Sequence, residues 1–79
     1  MLDKILEWFR VDELFIVDGF NDAIIGIDDS TMRLIYSVSK CIEILKKDMN
    51  DEEAVRYFNS YIKIIYVGDK TPIWCVDDL

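Results

Sequence analysis

The chain has 79 residues, nine basic and sixteen acidic, for a formal net charge of −7, and 52% of its residues are hydrophobic. That is enough for one domain with a thin core; the charge argues against a nucleic-acid or anionic-membrane target, since both need a basic patch, and suits a protein partner with a basic surface. There is no histidine, which removes Ser-His and Cys-His nucleophiles and His-ligated zinc.

The first element is a short helix. In LDKILEWF, Leu2, Ile5, Leu6 and Phe9 stand at i, i+3, i+4 and i+7 and form one apolar face. Asp3 in its first turn and Arg10 near its end both suit the helix dipole. ELFIV, Glu13 to Val17, favours a strand but could also continue the helix, and both readings stay open. DGFND then breaks the pattern through Gly19, Asn21 and Asp22. AIIGID (23–28) reads as a strand and MRLIYSV (32–38) as its antiparallel partner, across a loop centred on Asp28 to Thr31. Gly26 inside the first strand marks a bulge or a close backbone approach.

SKCIEILKKD (39–48) is helical, with Ser37 or Ser39 as N-cap and Cys41, Ile42, Leu45 and Met49 on one face. In NDEEAVRYFNSYIKIIYVG, Asn50 caps and Glu53 completes a capping box. Ala54, Phe58, Tyr61, Ile62, Ile65 and Tyr66 keep helical spacing up to a stop at Gly68, with Phe58, Ile62 and Ile65 as the core seam. DKTP is a turn, IWCV (73–76) a last strand and DDL a solvated tail. The expected fold is α+β and a single domain over 1–79. It has a small antiparallel sheet, hairpin plus C-terminal strand, packed by two central helices, with an N-terminal helix.

DGFNDAIIGI, IYSVSKCIEIL, MNDEEAVRYFNSYI and YVGDKTPIW together resemble a family of small tailed-bacteriophage proteins. That family is marked by a D-G-(acidic)-A opening, a K-C-I helix start, an E-E-A-V-x-Y-F helix and a V-G-(acidic)-x-T-P-I ending. The chain departs from it at Lys63 and Ile64, where small residues are expected. The resemblance covers Asp18 to Trp74 and leaves 1–17 outside it as an N-terminal extension. It implies a phage origin and a small α+β fold, and it carries over no catalytic residue, because the family has no assigned activity.

No apolar run reaches the roughly 18 residues of a membrane span. MLDKILEWFR has an acid at its third residue and no long apolar core, so no secretory leader is expected. The expected location is the cytoplasm of the host cell. Cys41 and Cys75 both lie in apolar contexts and read as buried free thiols; a disulfide between them has no support from spacing.

Asp18, Asn21 and Asp22 are oxygen donors, but the alternating ligands and terminal glutamate of a calcium loop are missing, so they read as a turn. Gly19 and Gly26 make no phosphate loop. Asp28 with Asp29, and Asp51 with Glu52 and Glu53, suit a turn and a helix start, where carboxylates are ionised and solvated. No metal, cofactor or catalysis is expected.

What remains is an asymmetry. Asp3, Glu7, Asp12, Glu13, Asp18, Asp22, Asp28 and Asp29 face only Lys4 and Arg10 in the first 29 residues, while Arg33, Lys40, Lys46, Lys47, Arg56 and Lys63 occupy the middle. Trp8, Phe9, Phe15 and Phe20 crowd the same N-terminal quarter. The expected partner-binding residues are Trp8, Asp12, Glu13, Phe15, Asp18, Asp22, Asp28 and Asp29, docking on a basic surface of a host or phage protein, with inhibition as one outcome. The alternative is a homodimer through a sheet edge or the N-terminal helix. A carboxylate-based enzyme ranks last.

Overall fold

In a computed structural model of the chain, residues 1–9 and 14–77 are described. Helix α1 (Leu2–Trp8) opens the chain with Asp3 in its first turn and buries Ile5; Arg10 lies outside the described residues. Of ELFIV, residues 14–17 are neither helix nor strand, and Glu13 lies outside the described residues. The Val17 N–H instead donates to the Tyr36 hydroxyl at 2.8 Å. Gly19, at φ +90°, makes the turn that glycine tolerates best. A 3₁₀ turn, Asn21–Ala23, then leads into β1 (Ile24–Asp28).

β1 pairs antiparallel with β2 (Arg33–Ser37), and the register slips between Ile24 and Gly26. Ile25 is the extra residue of that bulge. A side chain at Gly26 would lie 3.9 Å from the Ile35 Cδ1, so Ile35 already roofs this position. The four-residue hairpin loop closes through the Met32 N–H on the Asp28 carbonyl at 2.6 Å, with Met32 at φ 58°. Asp28 accepts from Ser30 Oγ at 2.8 Å, Ser30 N–H at 3.2 Å and Thr31 Oγ1 at 2.8 Å.

Helix α2 (Val38–Leu45) starts on Ser37, whose side chain accepts from the Lys40 N–H, so Ser37 rather than Ser39 is the cap. The helix ends earlier than LKKD suggests, through turns over Lys46 to Asp48. Helix α3 (Asp51–Tyr57) carries the full Asn50–Glu53 capping box.

The final helix and the sheet both depart from expectation. The long final helix does not run regularly to Gly68. A π turn, Phe58–Ile62, follows α3, and the Lys63 N–H reaches back to the Phe58 carbonyl at 2.8 Å. Phe58 and Ile62 are buried and Ile65 packs on the core, but Tyr61 and Tyr66 are 64% and 81% exposed. Helical turns cease after Ile64, so Tyr66 leaves the face its spacing assigned to it. Gly68, at φ +76°, opens a 3₁₀ turn, Gly68–Lys70, instead of ending a helix.

The sheet has the order β1-β2-β3, and β3 (Ile73–Cys75) pairs parallel with β2, not antiparallel. The sheet is therefore mixed. The chain leaves β2 at Ser37, turns back through α2 and α3, and re-enters beside β2 in the same direction. A parallel neighbour needs such a long crossover, and two intervening helices provide it.

The core lies between the sheet and the helices. Tyr36 and Trp74 are cross-strand partners, 5.2 Å apart by ring centroids, and Trp74 meets Phe58 edge-on at 5.4 Å. Leu34, Ile24, Ala23, Phe20, Val17 and Ile5 extend the cluster toward α1, while Cys41 joins it from α2. Burial pushes the Cys41 thiol up to about 12, and both cysteines are free thiols; Cys75 is only half-buried, not buried as expected. Nor is Asp77 a solvated tail residue. It accepts from Ser37 Oγ at 2.6 Å and from the Ser39 N–H at 3.1 Å, fastening the segment after β3 to the start of α2.

Candidate partner-binding surface

The N-terminal residues build a groove. Ile5 is the one fully buried residue of α1, Leu2 and the following Phe9 pack on the core half-buried, and the other side chains of the helix are exposed. Trp8 is 80% exposed, Met1 60% and Leu6 49%. Met1, Lys4, Ile5, Trp8 and Phe9 on one side and Ile25, Gly26 and Ile27 on the other enclose a hollow of about 270 Å³. β1 is an edge strand, and its outer edge has no strand partner among the described residues. An apolar hollow beside such an edge suits protein contact.

The acids divide between the two ends of β1. Asp22 lies with Met1, Leu2, Asp3 and Asn21 around a second, more polar hollow, and Asp18 is exposed on the turn just before it. At the other end stand Asp28 and Asp29. They differ. Asp29 is exposed, but the Asp28 carboxylate is taken up by its turn, and the hydrogen bonds from Ser30 and Thr31 hold it below the usual carboxylate range. That end also carries cations: Arg33 pairs with Asp28 across the strands, and the Lys70 Nζ donates to the Thr31 carbonyl at 3.1 Å. Of these acids, Asp3 and Asp22 share one hollow with Met1, and Asp18 is exposed on the turn before it.

Phe15 is half-buried and Phe20 belongs to the core. Asp12 and Glu13 lie outside the described residues. Of the expected residues, Trp8 alone combines a large apolar side chain with near-complete exposure.

Part of the central basic group is neutralised locally. Lys46 bridges Glu43 at 3.3 Å and Asp51 at 3.1 Å, and Arg56 bridges Glu52 at 3.3 Å. Sequence reasoning missed a second apolar surface. The Tyr57 and Tyr61 rings meet at a tilt with centroids 4.9 Å apart, and Ile64, Tyr66 and Val67 beyond them are also exposed. Its signal was present: Tyr57, Tyr61 and Ile64 share the same helical spacing as the buried seam, one position displaced.

Among the described residues, no group of three or more cysteine, aspartate or glutamate side chains is placed to hold a metal ion, and no helix is long and apolar enough to cross a membrane. No family model matches the chain, and neither a curated protein nor a solved structure does.

Proposed function

We propose that the chain is a small, non-enzymatic phage accessory protein that acts in the host cytoplasm by binding a host or phage protein and blocking that protein's own contacts. The observation that carries this reading is Trp8. A tryptophan 80% exposed beside an apolar hollow and an open strand edge is poorly used by the monomer, and buried tryptophans are frequent energetic anchors of interfaces. Asp3 and Asp22 line a second hollow that shares Met1 with this one, Asp18 is exposed on the preceding turn, and these acids suit a partner with a basic rim. The phage assignment rests on the sequence motifs between Asp18 and Trp74.

The test is affinity capture from lysate of phage-infected cells with wild-type chain and Trp8→Ala side by side. A protein retained by the first and lost by the second supports the reading. Identical capture by both removes Trp8 from it.

Self-association is a second reading, favoured by the exposed Tyr61, Ile64, Tyr66 and Val67. A solution mass of two chains that falls to one on Tyr61→Ala would replace the first reading with this one.

A further inference from the structure

Away from the α1 groove, the hairpin loop and the Gly68–Lys70 turn face each other across a hollow of about 690 Å³. Arg33, Lys70, Thr71, Tyr66, Gly68 and Asp69 line it. In an acidic chain, two cations converge here, and each is positioned by a backbone carbonyl rather than by a salt bridge. The Arg33 Nε donates to the Thr71 carbonyl at 2.6 Å, and the Lys70 Nζ donates to the Thr31 carbonyl at 3.1 Å. Neither forms an ion pair among the described residues, where Lys46 and Arg56 account for all of them. The terminal guanidinium nitrogens of Arg33 keep their donors, and a guanidinium held by its Nε presents them as a fork suited to phosphate.

The surroundings keep this geometry. Thr71 Oγ1 donates to the Gly68 carbonyl at 2.7 Å and accepts the Val67 N–H at 2.9 Å, which closes the turn below the hollow. Asp69 also lines the space and Asp28 stands across the strands from Arg33, so the two cations do not give the hollow a net positive charge; what they offer a phosphate is converging donors. Asp28, the nearest other carboxylate along the hairpin, is turned into its own loop by Ser30 and Thr31. Tyr66, 81% exposed, stands at the hollow with its ring uncovered. An uncovered ring beside cations offers a face on which a flat heterocycle can stack.

We propose that this hollow binds a small phosphate monoester carrying a flat ring, of the nucleoside monophosphate kind, with Arg33 and Lys70 on the phosphate and Tyr66 against the ring. Such a ligand is a single compact anion, so it needs none of the extended basic track that a nucleic-acid strand requires. The site is independent of the Trp8 surface, and each can fail without the other.

The experiment is an amide chemical-shift titration of the full chain with adenosine monophosphate and, separately, with adenosine. The monophosphate should give saturable shifts at Arg33, Gly68, Lys70 and Thr71 at millimolar concentration, and adenosine should give none. Lys70→Gln and Tyr66→Ala should each weaken binding about tenfold with melting unchanged, because neither side chain is in the core. Arg33→Gln removes a bond to Thr71 and serves only as a supplement. Absence of saturable shifts, equal shifts from adenosine, or an unchanged Kd in either Lys70→Gln or Tyr66→Ala would overturn the proposal.

Discussion

The Val17 N–H donates to the Tyr36 hydroxyl at 2.8 Å, and both residues are buried. This bond ties the irregular segment before the hairpin to the central strand. Tyr36→Phe should leave the Val17 N–H without a partner, at a cost of about 1–3 kcal/mol. In a domain of this size the melting temperature should fall by roughly 4–8 °C for each kcal/mol. A melt that matches wild type would show that water or another group satisfies Val17.

Phe58 is 1% exposed and meets Trp74 edge-on, whereas Tyr61, three residues on, is 64% exposed. Phe58→Ala should cost about 3–5 kcal/mol, while Tyr61→Ala should stay within about 0.5 kcal/mol. Chemical denaturation of both variants checks the pair. Comparable losses would contradict the π turn that separates these faces.

Asp77 is held below its ordinary value of 3.8, first by the Ser37 hydroxyl and then by the Ser39 N–H. A carboxyl depressed in the folded state stabilises the fold above its unfolded pKa of about 3.9. That contribution is lost as pH falls through the folded value. Asp28 follows the same sign through Ser30 and Thr31. Denaturation of Asp77→Asn between neutral pH and pH about 3 should show a shallower acid loss than wild type. Parallel pH profiles would remove Asp77 from the account.

Met32 sits at φ 58°, a left-handed conformation that glycine, lacking a Cβ, and asparagine tolerate better than other residues. Met32→Gly should stabilise the hairpin by about 1 kcal/mol, less whatever contact the methionine side chain makes. A lower melting temperature would show that this contact outweighs the backbone gain.

Local chemistry was legible in the sequence where it acts over a few residues. The Asn50–Glu53 capping box was read directly, while the cap at Ser37 or Ser39 and the bulge or close approach at Gly26 were each narrowed to two alternatives by residues nearby in the chain. What depends on distant neighbours was not legible. The direction of β3 follows from how far α2 and α3 carry the chain back, and Asp77 finds Ser37 only after that return. Helical spacing admitted Tyr61 beside Phe58, because residues three apart adjoin on a regular α-helix, and the π turn after Tyr57 moves Tyr61 off that face. For the candidate surface, Trp8 was legible from the excess of aromatics in the first twenty residues. The division of the acids was not, since Asp28 looks free until the Ser30 and Thr31 hydroxyls turn toward it. Charge reversal of Asp28 therefore disturbs its turn, and Asp18 and Asp22 are the cleaner positions.

In the proposed binding mode a partner docks on the Trp8 groove and is drawn there by Asp18 and Asp22. The most direct measurement is the association rate of the captured partner with wild-type chain and with the Asp18→Lys, Asp22→Lys double variant, from low to physiological salt. Exposed charges are screened over about 8–10 Å at physiological ionic strength. The wild-type rate should fall steeply as salt rises, and the variant should associate more slowly at low salt with a flatter dependence. Equal rates for both chains, unchanged across the salt range, would contradict this binding mode.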